Sequence, residues 1–424
     1  MCALVALSAG AQQQWTLQDC IDYAMQHNIA MRKAVLSEQV ATETRRQSQA
    51  ALFPSLTART SQNVGYTPWT TGPKTTSYNG SYGLSADWTL WNGNQNRNQV
   101  KLNKLTEKEA EADRERTSLS LQEQIAQLYV QLLYTNEAVN VSRENLETSK
   151  KNEERGLQMQ EVGKMSQADV AQLTAQRASD EYSLVEMESN LQSFKQQMKQ
   201  LLQMVGDQPF DVATPVAPDE QALAPIPALA DVYALALQAR PELRKAELAV
   251  KESDVQLSIA KAGHMPTVSL TGSAATGTNS GNSDGWGQQM KNNVDLSAGL
   301  GVSVPLFDNR RTRTNINKAK IQQSQARVEQ EKARDDMYLT LEEYWLDAQT
   351  NQQKFRAAQL AVDSEQQSYD LLAEQFRLGL KNIVELMTGK VRLLQAQQNK
   401  LQSKYLSILS LQMLHFYQGD PLTI

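Results

Sequence analysis

The chain contains itself twice. Asp19, Ala24, Gln26, the triplet Arg32-Lys33-Ala34 and Pro54 recur 212 positions later as Asp231, Ala236, Gln238, Arg244-Lys245-Ala246 and Pro266. Farther along the spacing becomes 216, pairing Leu90-Trp91-Asn92 with Leu306-Phe307-Asp308, Gly163 with Gly379, and Asp169-Val170 with Glu385-Leu386. The change of spacing falls between Pro54 and Leu90. A period of roughly two hundred residues is too long for a solenoid, so one supersecondary unit has been copied and fused into a pseudo-symmetric whole. The expected division is repeat 1 over residues 12–205, a Pro-, Ala- and Asp-rich connector or linker over 206–227, and repeat 2 over 228–424.

Each repeat reads as helix, strand, loop, strand, very long helix, turn, helix. Only 6% of the residues are aromatic and mean hydropathy is −0.52, which is low for large packed cores. Gln, Ala, Ser, Glu and Lys fill long stretches instead, the composition of extended helices. The opening helices are expected over Thr16 to Leu52 and Leu229 to Gly263, each stopped by the proline that follows. From about Gln95 to Gln160 and from Arg310 to Arg377 there is no proline, and the only glycine is Gly156. In the second stretch Leu341, Tyr344, Ala348, Phe355, Ala358, Val362, Tyr369, Leu372 and Phe376 follow three- and four-residue steps, a heptad seam. Helices of that length reach roughly 100 Å. Glu161-Val162-Gly163-Lys164 and Arg377-Leu378-Gly379-Leu380 then reverse the chain into return helices ending near Val205 and Tyr417.

The strands alternate with period two. Val294, Leu296, Ala298, Leu300, Val302, Val304 and Leu306 are apolar, with Asp295, Ser297, Gly299, Gly301 and Ser303 between them. Tyr82, Leu84, Ala86, Trp88 and Leu90 do the same, while Leu56 to Tyr66 and Val268 to Ala274 alternate more weakly. Four strands per chain follow. The Gly-, Ser-, Thr- and Asn-rich segments Thr67 to Ser77 and Thr276 to Asn293 read as the loops between them. A sandwich face on a soluble core would alternate in the same way as a membrane barrel. The absence of a matching core-forming sequence nearby favours the barrel.

Four strands cannot close a barrel, and an open sheet edge cannot exist in lipid, so a membrane-embedded sheet requires oligomerisation. Two chains would give eight strands and three would give twelve. The residues between the apolar ones are small and polar, which suits a water-filled lumen. No run approaches the 18 or more apolar residues of a membrane-spanning helix, but β-strands escape that criterion.

Other functions find no support in the residues. The net charge is −5 with both signs interspersed, so nucleic-acid binding has no electrostatic footprint. His27, His264 and His415 lie far apart without metal-ligand spacing, and no phosphate loop, nucleophile elbow or zinc-protease motif occurs. Gly299-Leu300-Gly301 sits inside an alternating strand without the helix that a dinucleotide fingerprint needs. No enzyme, cofactor or metal site is expected. Residues 1–11, an apolar run ending in Ala9-Gly10-Ala11, resemble the end of an export signal. Cys2 would be a lipidation site only if the true start lies upstream, and Cys20 falls in a helical apolar pattern as a small buried hydrophobe.

Several segments together resemble the outer membrane efflux proteins, the TolC-like channels. They are Asn28-Ile29-Ala30-Met31-Arg32 with Arg240-Pro241-Glu242-Leu243-Arg244, Leu52-Phe53-Pro54-Ser55-Leu56, Pro305-Leu306-Phe307-Asp308, and Val162-Gly163-Lys164-Met165-Ser166 ending in Asp169-Val170. The resemblance covers nearly the whole mature chain. It implies a mainly helical homotrimer with a shared twelve-stranded β-barrel in outer-membrane lipid and a periplasmic helical barrel of duplicated hairpins. In that family the tunnel's far end closes by coiling of its inner helices and opens when a periplasmic adaptor (membrane fusion) protein and an inner-membrane pump dock.

The implied function is the exit duct of a tripartite efflux pump with an RND-type pump. The same conduit would serve type I protein secretion with an ABC transporter. A periplasmic coiled-coil scaffold would share the hairpins but would not need the alternating strands. By resemblance, Asp169 matches an aspartate of the closed tip, and Lys381 and Glu385 match a basic and an acidic position of the constriction. Phe376 stands where the family can carry a hydroxyl-bearing tyrosine and Thr388 where it can carry an aspartate. Read from the residues alone, Asp169, Lys381 and Glu385 are solvated helix-start residues near a turn. The turns at Val162, Gly163, Lys164 and at Leu378, Gly379, Leu380 are the expected adaptor-docking surface. Trp69, Trp88, Trp91 and Trp286 would mark membrane interfaces or cap a soluble sheet.

Overall fold

The computed structural model describes residues 14–69, 75–206, 209–214 and 217–423. The export-signal segment 1–11 and Cys2 lie outside the described residues.

The chain opens with strand β1 (Gln14–Trp15) and helix α1 (Leu17–His27). A capping box starts α1: Thr16 Oγ1 accepts the Asp19 N–H at 3.2 Å, and Asp19 Oδ2 accepts the Thr16 N–H at 3.0 Å. Each expected opening helix is in fact two. α1 stops at Asn28, whose backbone is extended (φ −65°, ψ 132°) and whose Oδ1 accepts the Ala30 N–H at 2.7 Å to start α2 (Ile29–Ala50). In repeat 2, α6 (Leu229–Ala239) stops at Arg240 (φ −85°, ψ 127°), and α7 (Pro241–Ala262) begins on a proline. Proline drives the preceding residue out of the helical region and suits a first helical position. The dipeptide Arg240-Pro241 was therefore a legible break, and its counterpart Asn28-Ile29 a legible cap.

The long helices fall where the missing prolines and glycines place them. α3 (Gln95–Glu161) and α9 (Arg311–Arg377) have 67 residues each, and the return helices are α4 (Gln167–Leu201) and α10 (Ile383–Gln418). Matched pairs of 11, 22 and 67 residues (α1 with α6, α2 with α7, α3 with α9) carry the duplication into the structure.

One sheet has the order β2 (Ser55–Thr67), β3 (Thr75–Asn92), β5 (Thr267–Asn279), β6 (Asp295–Ser303), all antiparallel. The alternation that continues to Leu306 outlasts its pairing. β5 begins at Thr267 opposite Ser303, so among the described residues those beyond Ser303 have no partner strand, and Pro305 has no N–H to offer one. The expected loop over 276–293 is also more ordered than its composition suggests. It contains the end of β5 and the short helix α8 (Trp286–Asn292). The buried Gln289 ties them, its Oε1 accepting the Asn279 N–H at 2.7 Å and its Nε2 donating to the Asp284 carbonyl at 2.6 Å. At the other loop, β2 runs to Thr67 and β3 starts at Thr75.

Two compact units are present, and neither coincides with a repeat. One contains the chain up to Val35, Arg114–Leu243 and the chain from Ala333 onward; the other contains Leu36–Asp113 and Arg244–Lys332, including the four-stranded sheet. The first holds the main apolar core, with Ile125, Tyr129, Leu132, Leu341, Phe355, Met413 and Leu414 fully buried. Cys20 belongs to this core as a free thiol, and burial pushes its pKa up to about 12.

The connector is ordered where it is described. β4 (Asp211–Val212) pairs in parallel with β1, and Tyr129 Oη donates to the Ala213 carbonyl at 2.7 Å. Farther on, α5 (Asp219–Ala222) is fastened to α10 by Ser407 Oγ donating to the Ala222 carbonyl at 2.7 Å. Trp345 Nε1 on α9 donates to the Pro227 carbonyl at 3.1 Å. Asp219 pairs with Lys404 at 2.9 Å and Lys400 at 3.4 Å. Burial opposes its ionisation, but the two ammonium groups outweigh that and hold its carboxyl below the ordinary value of 3.8.

A carboxyl depressed in this way stabilises the fold above its unfolded pKa and loses that contribution as pH falls through its folded pKa. Asp219→Asn is therefore expected to lower the melting temperature at pH 7. The gap between parent and variant should close below about pH 4, and a gap of constant size across that range in thermal melts would remove Asp219 from the account.

Candidate functional site

The register of the sheet separates its two faces by chemistry. Cross-strand partners point to the same side. One row reads Trp88, Leu270, Leu300; a second reads Leu56, Ala86, Gly272, Ala298; a third reads Ala58, Leu84, Ala274, Leu296. The opposite face carries Thr57, Ser85, Ser273, Ser297 in one row and Arg59, Gly83, Ala275, Asp295 in the next. Ser273 and Ser297 share a hydrogen bond at 2.7 Å. Between Thr89 and Trp91 the ladder slips by one residue, which sets Trp91 opposite Val268 and so on the apolar face with Trp88.

That apolar face stands exposed along the rows from Leu84 to Trp88, and the short helix α8 packs on it only nearer the loops, where Thr276 Oγ1 donates to the Met290 carbonyl at 2.7 Å. Leu296 is 75% exposed and Leu300 65%, values opposite to those of a core strand. Among the described residues, the end strands β2 and β6 leave two open edges. Trp286 packs edge-on to Tyr82 with ring centroids 6.2 Å apart, and Trp69 is almost wholly exposed at the end of β2.

The tip turns are built by glycine. Gly163 (φ +72°) and Gly379 (φ +73°) take the left-handed conformation that ends a helix without a Cβ penalty. The Lys164 N–H returns to the Met159 carbonyl at 2.8 Å and the Gly163 N–H to the Gln160 carbonyl at 2.9 Å. Leu380 with Gln375 (2.9 Å) and Gly379 with Phe376 (3.0 Å) repeat the pattern. Both are Schellman motifs. Val162, Gly163, Lys164, Leu378, Gly379 and Leu380 are exposed.

The charged tip residues make local bonds in the single chain. Asp169 is in the first turn of α4, where Ser166 Oγ accepts its N–H at 3.1 Å and donates to its carboxylate at 2.8 Å. Glu385 holds the corresponding place in α10, its N–H bound by Asn382 Oδ1 at 2.9 Å and its carboxylate paired with Lys381 at 3.2 Å. Phe376 packs with Met165, Tyr369, Leu372, Ala373 and Met387 against the buried trio Leu173, Ile383 and Leu386.

A cluster that sequence reasoning missed lies farther into the same helices. Lys390 on α10 and Asp180 on α4 are 4% and 5% exposed and pair at 2.7 Å. Ser149 on α3, also buried, is hydrogen-bonded to both. Burial pushes the Lys390 ammonium below its ordinary range, against the pull of Asp180. A signal existed: Asp180 follows the buried Leu173 by seven residues, and Lys390 follows Ile383 by seven, so each charge interrupts an apolar seam.

An exposed apolar sheet face with open edges, joined in one chain to duplicated helical hairpins, is the arrangement of a known family. The sequence model of the outer membrane efflux proteins matches residues 20–205 and 232–419, most of both repeats and none of the connector. The chain belongs to the outer membrane efflux protein family.

This outer membrane efflux protein is 23% identical over 402 residues to the outer membrane efflux protein BepC of Brucella suis, covering 94% of this chain and 84% of BepC. It is 24% identical over 410 residues to TtgC of Pseudomonas putida, a probable efflux pump outer membrane protein, covering 92% of this chain and 81% of TtgC. Among solved structures, CusC shares the fold with a TM-score of 0.81 at 19% identity, over 94% of this chain and 91% of CusC. The efflux protein resides in the outer membrane, and its family consists of channels, not enzymes.

Proposed function

We propose that this protein is the exit duct of a tripartite efflux pump, a homotrimer whose three sheets close a twelve-stranded barrel in the outer membrane. The observation that carries the reading is the two-faced sheet. An exposed apolar face with unpaired edges is tolerated in lipid only if each edge finds another strand, and the small polar face then lines water. Exposed leucines at 339, 346, 360 and 371, spaced by multiples of seven and eleven along α9, favour a neighbouring copy packed against that helix. The two repeats, 12–205 and 228–424, would alternate around the tube, with the connector 206–227 clasping them from one side.

At the periplasmic end, Asp169 from three copies would form an acidic ring favouring cations, with Lys381 and Glu385 bracing the closed tip. Phe376 would contribute packing where a tyrosine would contribute a hydrogen bond. The exposed turns at Val162-Gly163-Lys164 and Leu378-Gly379-Leu380 would receive the periplasmic adaptor. Efflux is favoured over secretion because TtgC, alike over most of both chains, is named for an efflux pump.

Cross-linking from Lys164 and Lys381 in native envelopes, read by mass spectrometry, tests the assignment. Capture of an adaptor together with a proton-driven pump is expected. An ABC transporter with a protein substrate would move the channel to secretion.

A further inference from the structure

Lysine is almost never fully buried unless its charge is matched, and Lys390 is matched at every donor. Its ammonium reaches Asp180 Oδ2 at 2.7 Å, the Asn145 carbonyl at 3.1 Å and the Ser149 hydroxyl. Ser149 donates in turn to Asp180 Oδ2, and Gln176 Nε2 donates to Asp180 Oδ1 at 2.9 Å. Asn145 and Ser149 belong to α3, Gln176 and Asp180 to α4, and Lys390 to α10. The cluster therefore ties the hairpin of repeat 1 to the return helix of repeat 2.

We propose that Lys390, Asp180 and Ser149 form an internal latch that holds α10 against the α3–α4 hairpin and sets how readily the tip end of the second hairpin moves away. The inference rests on the channel reading above. The physical reason is that such a contact has two viable states. Closed, every donor and acceptor is satisfied inside the protein. Open, water hydrates both ions, and the recovered hydration offsets much of the lost attraction. An apolar contact has no such alternative.

The neighbouring seam is shallow, with only Leu173, Ile383 and Leu386 buried in the tip cluster. Helix approach there depends on two glycines. A Cβ on Gly156 of α3 would lie 2.4 Å from Leu173 Cδ1, and one on Gly389 of α10 would lie 2.7 Å from Leu372 Cδ1. Gly389 adjoins Lys390, so the helix that carries the latch is also closely seated on α9.

Single-channel conductance of the full-length protein in planar bilayers tests this. Lys390→Met strands a carboxylate in the closed state only, and is expected to raise the ratio of high- to low-conductance occupancy about tenfold or more. The pair Lys390→Met with Asp180→Leu exchanges the ions for an apolar contact, and should return occupancy to the parental level or below it. Parental conductance in the single variant, or a double variant as open as the single one, overturns the latch. If Lys390→Met does not assemble, Ser149→Ala decides in its place: a smaller rise supports the latch, and an unchanged trace overturns it. A parent that inserts without conducting overturns the channel reading itself, an outcome separate from any difference among variants.

Discussion

Leu300→Arg is expected to deplete the protein from the outer-membrane fraction, while Ser297→Arg, three residues away on the same strand, leaves it there. Leu300 stands near the middle of β6 in the row with Trp88 and Leu270, on the exposed part of the apolar face. An arginine on the lipid face of a barrel costs about 2–4 kcal/mol near the bilayer midplane, and a trimer would bear that cost three times. Ser297 lies on the other face, opposite Ser273, in a row of hydroxyls where, in a closed barrel, a cation would face the lumen and stay hydrated.

The comparison is informative because the two readings of the alternating strands give opposite results. On a sheet whose two faces both meet water, Leu300→Arg would replace an exposed leucine by a soluble residue and improve the protein. Sucrose-gradient fractionation with an immunoblot for each variant reads the outcome. Equal recovery of the two variants in the outer membrane would sink the assignment of the apolar face to lipid.

The parts of this fold legible in the sequence are those where a single periodicity governs many residues. The 67-residue helices announced themselves by lacking proline and all but one glycine, and their ends by Gly163 and Gly379. The strands declared their two faces by alternation, but pairing decided how far each could run. β6 stops at Ser303 because its partner begins at Thr267, a fact about another segment of chain. Breaks that depend on one residue were easier to overlook. Asn28 and Arg240-Pro241 split the opening helices through a side-chain cap and a steric clash, effects that a long helical pattern conceals. The two hairpin turns were legible through Gly163 and Gly379, whereas the buried Lys390–Asp180 pair was not. Each charge taken alone looks like the solvated face of a helix, and only the meeting of three helices shows that it is inside.

Phe355→Ala should be the most damaging single truncation in the helical core, with a loss of about 3–5 kcal/mol. Phe355 sits on the heptad seam of α9, wholly buried, with Leu341 and Ala348 ahead of it on the same seam at no exposure. The upper part of that range is expected because its seam neighbours Ala348 and Ala358 have no rotamers with which to fill a cavity. On the return helix α10 the buried small residues Ser403, Ser407 and Ser410 alternate with the larger Tyr405, Ile408 and Leu411 of the same core. Ser407 is already committed to the Ala222 carbonyl and Ser410 accepts from Asn351, so movement toward the void would cost those hydrogen bonds as well. Gln353, two residues away and exposed, supplies the control: Gln353→Ala should stay within about 0.5 kcal/mol of the parent. Thermal unfolding of the detergent-solubilised protein, followed by helical circular dichroism, measures both. A Phe355→Ala melt that overlays the Gln353→Ala melt would mean that the seam tolerates a cavity, and the heptad pattern would then describe helix geometry without describing where the stability of the hairpin resides.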